Sequence, residues 1–234
     1  IDDLSESLDM TLKELSQKNE ALKKEIEHKK AVEEMRKQFI TNVSHELKTP
    51  LSLIQGYAEG LELNIASSDE KRNFYCGVIK EETAKMGRLV KDLLDLSMME
   101  TGNLTLYKSE FCIDELIKRL MGKFEKVFLK KGIEPKYAEG ERTVVYADSF
   151  RTEQILTNYL NNAIYHVDER KEIFVRKDIQ ENSVIVRVFN SGQNIPQEEG
   201  EKIWTSFYRA DNARTREEER YGIGLSIVKA ICDL

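Results

Sequence analysis

The chain has 234 residues, 40% hydrophobic and 33% charged, with a formal net charge of −6. That length allows one large domain or two smaller ones, and the acidic balance argues against a nucleic-acid-binding surface. Three widely separated cysteines (Cys76, Cys112, Cys232) offer no metal spacing and read as inert reduced thiols, and neither a bilayer-crossing apolar run nor a signal peptide is visible.

Residues 1–38 read as a charged rod with spaced apolar positions. Ile1, Leu4, Leu8, Leu15 and Leu22 follow a heptad-like spacing, and Ile26, Val32, Met35 and Phe39 continue it in shifted phase. No Gly or Pro interrupts. The narrow seam predicts a parallel two-stranded coiled coil; the other reading is a single helix lying on its own domain. The chain opens inside one helical pattern and closes inside another, so a longer parent protein is expected.

The helical pattern continues through Val43, Leu47, Leu51, Ile54, Ala58, Leu61 and Ile65. In its middle, His45 and Thr49 are four residues apart and share a face, with Glu46 beside the histidine. A neutral imidazole is a nucleophile near neutral pH, and a neighbouring carboxylate can hold its tautomer, so this group is a candidate phosphoryl acceptor. Pro50 predicts a bend just past it. Ser67-Ser68-Asp69 reads as a turn, with Ser68 or Asp69 as N-cap. A second helix follows, apolar at Phe74, Val78, Ile79, Met86, Leu89, Val90, Leu93, Leu94 and Leu96 and ended by Gly102. Two long helices and a short turn make an antiparallel hairpin. One hairpin cannot bury two broad apolar faces; two hairpins can, as a four-helix bundle, so a homodimer is expected.

From about residue 103 the character changes. Leu104 to Tyr107 predicts a short strand, and 113–131 an amphipathic helix buried at Leu116, Ile117, Leu120, Phe124 and Leu129. Thr143 to Ala147 is a strand and 149–167 a helix. Strands at 172–178 and 184–189 are joined by a turn at Glu181-Asn182-Ser183. Helices and antiparallel strands in one unit predict the α+β class, built as a sandwich.

Three features in this half could carry chemistry. Gln154, Asn158, Asn162 and His166 recur every four residues and line one face of their helix. Amide oxygens suit Mg²⁺, although the same stripe fits a solvated face equally well. The strand ending at Asn190 enters a turn, Ser191-Gly192-Gln193-Asn194-Ile195-Pro196, where glycine lets a ligand approach the backbone. Phe207-Tyr208-Arg209 leads into a charged run, and Gly222-Ile223-Gly224-Leu225 then opens an apolar helix. This last feature reads either as a phosphate cradle or as a surface loop.

Taken in order, these segments resemble the catalytic core of a sensor histidine kinase of a bacterial two-component system. Ser44-His45-Glu46-Leu47-Lys48-Thr49-Pro50 matches the family's His box, Asn158 to Asn162 its Asn box, and the later segments its glycine and phenylalanine boxes. Residues 1–38 resemble the end of a HAMP signalling module. The resemblance implies three parts: a signalling helix over 1–38, a dimerisation and phosphotransfer hairpin over 39–102, and a Bergerat-type ATP-binding domain over 103–234, truncated at its C-terminus. It also implies autophosphorylation with ATP and Mg²⁺, transfer to an aspartate of a response-regulator receiver, and phosphatase activity. The alternative is a degenerate kinase acting mainly as phosphatase or scaffold. The parent would be a cell-membrane protein, attached through upstream segments, with this portion cytoplasmic.

By the same resemblance His45 is the phosphoacceptor, Glu46 the carboxylate that activates it, and Thr49 the residue that positions water for dephosphorylation. Asn158, Asn162, His166, Asn190, Gly192 and Ile195 fall on one part of the nucleotide pocket, with Asn162 as the Mg²⁺ ligand. Phe207, Tyr208 and Arg209 match the lid anchor, with Arg209 toward the γ-phosphate, and Gly222, Gly224 and Leu225 the second glycine box. Some positions depart from the family. Asn190 replaces an adenine-reading aspartate, which predicts lower nucleotide affinity. Tyr165 replaces a phosphate-contacting lysine, and Arg220 stands near a missing glycine. A further pair of strands is expected beyond Leu234, because the sheet would otherwise keep an open edge.

Overall fold

The computed structural model describes residues 2–208 and 221–234, and side chains within them from residue 12 onward except at 28 and 100. The chain divides into two units, Ile1–Ala84 and Lys85–Leu234.

The first unit is dominated by α1 (Asp2–Glu62), a single helix of 61 residues, about 90 Å long at 1.5 Å per residue. Leu15, Leu22, Ile26, Val32 and Met35 remain exposed along it. Pro50 is buried and the helix continues past it to Glu62. The helix ends where Asn64 takes a left-handed conformation (φ 55°). There the Ile65 N–H reaches the Gly60 carbonyl at 3.0 Å and the Asn64 N–H the Leu61 carbonyl at 3.1 Å, which is the Schellman arrangement. Ser68 caps the next helix, α2 (Asp69–Glu100), its hydroxyl accepting from the Lys71 N–H at 3.3 Å. Tyr57 on α1 and Tyr75 on α2 meet edge to face at 4.8 Å between ring centres. Gly60 permits this contact, because a Cβ there would lie 2.7 Å from the Tyr75 ring. These contacts fold the two helices back as the expected hairpin.

α2 ends in the second unit with the same Schellman pattern, closed by Gly102 at φ 66°. The chain then builds β1 (Ser109–Cys112), α3 (Ile113–Lys131), β2 (Lys136–Ala138), β3 (Val144–Ala147), α4 (Ser149–His166), β4 (Ile173–Gln180), β5 (Ser183–Asn190) and α5 (Gly224–Cys232). β1 pairs antiparallel with β3, and a second sheet has the order β2-β4-β5. β2 runs parallel to β4, while β4 and β5 form a hairpin. Ile113, Leu116, Ile117 and Leu120 from α3 pack with Leu156 and Leu160 from α4 and Val175 from β4. Two helices on one sheet face are thus the α+β sandwich read from the sequence.

Several details differ from the sequence reading. The first strand is Ser109–Cys112, not 104–107. Residues 109–112 find a ladder on β3, whereas the Tyr107 N–H is taken by the Asp148 carboxylate at 2.9 Å. On α3 the buried residue of the last turns is Phe128, and Leu129 is 73% exposed. Phe128 lies one turn beyond Phe124, the rings 6.0 Å apart, so the apolar stripe passes one residue before Leu129. The hairpin turn is Glu181-Asn182, since Ser183 already pairs with Gln180.

One buried polar group ties the sandwich together. Lys177 Nζ on β4 lies 2.5 and 2.6 Å from the two carboxylate oxygens of Asp114 at the start of α3. The Tyr137 hydroxyl donates to the same carboxylate at 2.5 Å and the Thr143 N–H at 2.9 Å. Lys177 also donates to the Thr143 hydroxyl and the Glu141 carbonyl. Burial alone would raise the Asp114 pKa; the hydrogen bonds from Lys177, Tyr137 and Thr143 prevail and hold it at about 2. Burial, and then the Asp114 carboxylate, push the Tyr137 hydroxyl upward.

Candidate functional site

The predicted site residues on α1 and α4 sit on regular helices, and the glycine-box residues lie in the loops beside α4 and α5. In the first unit, His45 is exposed on α1 and Thr49 is exposed one turn further on. The Thr49 hydroxyl lies 3.5 Å from the His45 carbonyl. Glu46 follows about 100° round the helix and is half-buried. The imidazole is therefore open to a reactant, on a helix face it shares with a hydroxyl.

In the second unit, α4 starts at Asp148, whose carboxylate caps the Arg151 N–H at 3.0 Å. Burial would raise the Asp148 pKa; the backbone N–H donors, Arg151 first, bring it below the ordinary value. The amide stripe on α4 then divides. Gln154 accepts from Arg151 Nη1 at 2.7 Å and donates to Asp95 on α2 at 3.4 Å, with Arg151 itself 3.6 Å from Asp95. Gln154 is thus spent on holding α4 to α2. Asn158 and Asn162 are half-buried, His166 is exposed at the helix end, and the Tyr165 and His166 rings meet edge to face at 4.8 Å.

Two loops meet this helix, and a third closes on the second of them. Asn190 ends β5, and the next turn passes Gly192 at φ 151°. A Cβ on Gly192 would lie 2.2 Å from the His166 carbonyl oxygen and 3.3 Å from Asn190 Nδ2, so this backbone crosses the end of α4 as only glycine allows. At the start of α5, a Cβ on Gly224 would lie 3.0 Å from Asn158 Oδ1. Phe207, at φ 65°, donates its N–H to the Gly222 carbonyl at 2.9 Å. Tyr208 and Leu225 are half-buried beside these contacts in the chain, and Ile195 is 56% exposed before the turn at Gln197–Glu199. Arg209 lies outside the described residues.

The turn at Ser191 was read from the sequence as a candidate; the hydrogen bonds that hold its backbone were not. Ser191 is buried, its N–H donates to the Glu172 carbonyl at 2.8 Å, and its carbonyl accepts the Asp168 N–H at 3.1 Å. The Ser191 hydroxyl, and then Arg170, hold the Asp168 carboxylate below its ordinary pKa. The only local signal was a serine between the strand end and the glycine.

Gly192→Ala is expected to destabilise the second unit by about 1–3 kcal/mol, since the φ suits only glycine and the obstructing atom is backbone. Thermal melting checks this, and an unchanged melting temperature would show that the turn can relax. A groove of about 850 Å³ lies on the sheet, lined by Lys136, Tyr159, Phe174, Arg176, Arg187 and Phe189 among others; it shares no residue with the sites above. Donor chemistry, not volume, marks the candidate site. Asn158 and Asn162 bring neutral hard oxygens to one helix face. That set fits Mg²⁺, which takes few protein ligands and keeps waters and substrate phosphates.

An exposed histidine on a helical hairpin is followed in the chain by a sandwich whose helix–loop junctions are built on glycine and asparagine. Residues 35–102 match the model of the His Kinase A (phospho-acceptor) domain, and residues 147–234 that of the histidine kinase-, DNA gyrase B- and HSP90-like ATPase. The chain belongs to the bacterial sensor histidine kinases. It is 31% identical over 202 residues to the sensor protein SrrB of Staphylococcus aureus strain N315, covering 86% of this chain and 35% of that protein. The chain thus spans about a third of the length of that relative. The histidine kinase AdeS of Acinetobacter baumannii has the same fold, with a TM-score of 0.65 at 24% identity over 80% of this chain and 85% of that one. The histidine kinase ThkA, solved in complex with response regulator protein TrrA, gives 0.59 at 27% identity over 74% of this chain and 50% of that one.

Proposed function

We propose that this chain transfers the γ-phosphoryl group of ATP to His45 and passes it to an aspartate of a response-regulator receiver. The observation that carries the reading is the open His45 face within the segment that matches the phosphoacceptor domain. A ring nitrogen lone pair attacks the γ-phosphorus, the bond to the bridging oxygen breaks, and ADP leaves. This needs alignment and charge neutralisation more than bond-making help. Glu46 steadies the other ring nitrogen. Asn162, with Asn158 beside it, would hold Mg²⁺, which supplies charge neutralisation on the phosphates when bound. Gly192, Gly222 and Gly224 let the nucleotide reach the backbone; Asn190 faces the base; His166, Ile195, Phe207, Tyr208, Arg209 and Leu225 complete its surround.

The exposed apolar positions of α1 support a coiled coil through residue 38 and a dimeric four-helix bundle over 39–102, because one chain leaves them uncovered. Residues 103–234 are then the ATP-binding domain. Within a longer membrane-attached sensor, this portion works on the cytoplasmic side. Incubation with γ-labelled ATP tests the reading. Label should appear on the chain, require Mg²⁺, disappear with chelator, and transfer to a receiver domain. Dephosphorylation of the receiver without any labelling of the chain would favour the phosphatase or scaffold reading instead.

Thr49 supports a phosphatase role, being the hydroxyl one turn from the histidine on the same face. Thr49→Ala is expected to leave labelling within about 2-fold and to slow receiver dephosphorylation at least 10-fold, in the range of one lost positioning contact. Equal loss of both rates would assign the hydroxyl to structure.

A further inference from the structure

The outer face of the β2-β4-β5 sheet carries side chains that the phosphotransfer reading does not use. Val175 and Val188 pack inward against α3 and α4, so their neighbours along β4 and β5 point the other way. Two rows result. In the first, Lys136, Phe174 and Phe189 stand in register across the three strands. The phenyl rings lie 5.7 Å apart, and Lys136 Nζ sits 5.6 Å from the Phe174 ring centre. In the second row Arg176 and Arg187 stand directly opposite each other. Phe189 is 52% exposed, and both arginines are exposed. These five residues line the groove of about 850 Å³, a size in the range of small-molecule sites.

Like charges placed opposite on antiparallel strands repel. Asp178 offsets part of that repulsion: Arg176 Nε lies 3.7 Å from its carboxylate, and Arg187 Nη1 reaches it too. Asp178 comes two residues after Arg176, on the side of the arginines away from the phenyl rings. The guanidiniums are thus steadied from behind and keep net positive charge beside the rings, on a chain whose formal net charge is −6. The two rows are two residues apart, about 7 Å at strand spacing. A complementary ligand has a planar ring and an anionic group separated by that order of distance. A nucleoside monophosphate is built so, with a base to stack on phenyl rings and a phosphate for the guanidinium forks. An extended acidic peptide would need positive charge along several rows, and here Asp178 ends it.

We propose that this face is a second ligand site, for a nucleoside monophosphate, with the base on Phe189 and the phosphate between Arg176 and Arg187. α4, which carries Asn158 and Asn162, packs on the opposite face through Leu156 and Leu160. The site is therefore separate from the proposed ATP pocket, and both can be filled together.

Calorimetry of the whole chain with guanosine monophosphate tests this. Its affinity should agree within about 2-fold with and without saturating ADP and Mg²⁺, as for uncoupled sites. Guanosine, which lacks the phosphate, and ribose 5-phosphate, which lacks the base, should each bind about 10-fold or more weaker, the scale of a lost charge-assisted hydrogen bond or stacking contact. Arg176→Gln with Arg187→Gln, and separately Phe189→Ala, should weaken guanosine monophosphate to the same degree while melting and labelling from ATP stay at native values. Affinity that vanishes when ADP is added overturns the proposal, because the ligand then sits in the ATP pocket. Affinity unchanged in the arginine variant overturns it as well. So does ribose 5-phosphate bound as tightly as the whole nucleotide, which would leave a bare anion site. A glutamate-rich peptide carrying one phenylalanine that binds tighter than guanosine monophosphate also overturns it, in favour of an acidic protein partner.

Discussion

His45→Gln is expected to abolish incorporation of phosphoryl label from γ-labelled ATP while leaving the chain folded and able to bind nucleotide. The position is exposed on a long helix, and glutamine is a good helix former, so the change in stability should stay within about 0.5 kcal/mol. What disappears is the His45 nitrogen lone pair able to attack phosphorus, because an amide nitrogen is not nucleophilic. Label on the native chain should be lost in acid, as a phosphorus–nitrogen bond is, and should survive alkali. ADP affinity measured alongside should be unchanged, since the residues proposed to hold nucleotide all belong to the other unit. Acid-stable label persisting on the glutamine variant would place the acceptor on a hydroxyl or carboxylate and end the assignment of His45.

What the sequence revealed follows the range of the interactions involved. The hairpin was legible because its signals are local: apolar residues at helical spacing, a serine N-cap at Ser68, and Gly102 placed to end α2. α3 was placed at 113–131 by its amphipathic pattern, and the structure adds acidic residues in its first turn and Gly132 as its left-handed cap. β2 was missed. It is three residues long and exists because it lies parallel to β4, 38 residues further along the chain (Lys136 against Phe174), and no local pattern encodes such a pairing. The strand at 104–107 was misplaced because β-propensity there had no ladder to join, whereas Ser109–Cys112 had one. The site was legible through residue identity: histidine, asparagines and glycines stand out against a lysine- and glutamate-rich surface. Its internal division was not. Nothing in the spacing of Gln154, Asn158 and Asn162 distinguishes the one that Asp95 and Arg151 engage.

The Asp114–Lys177 group should dominate the stability of the second unit, and Asp114→Asn is expected to cost about 3–5 kcal/mol at pH 7. The Lys177 side chain is 3% exposed, so losing the carboxylate leaves a buried ammonium whose other partners are neutral oxygens. An asparagine also cannot accept at both ends. One of its atoms would present N–H groups to donors already aimed there, the Thr143 N–H or Lys177. The dependence on pH has a definite sign. The Asp114 pKa lies below its ordinary value of 3.8, at about 2, so its ionised form stabilises the fold above about pH 4. That contribution, on the order of 2 kcal/mol, is lost as pH falls from 4 toward 2. Urea unfolding followed at pH 7 and at pH 3 separates the two effects. The native unit should lose midpoint on acidification, and the asparagine variant should start lower and lose less. Adding Lys177→Met should recover part of the deficit, because methionine removes the orphaned charge and fills similar volume. Equal urea midpoints for native and Asp114→Asn at pH 7 would show that water or a rearranged side chain satisfies Lys177, and that the sandwich rests on its apolar layer alone.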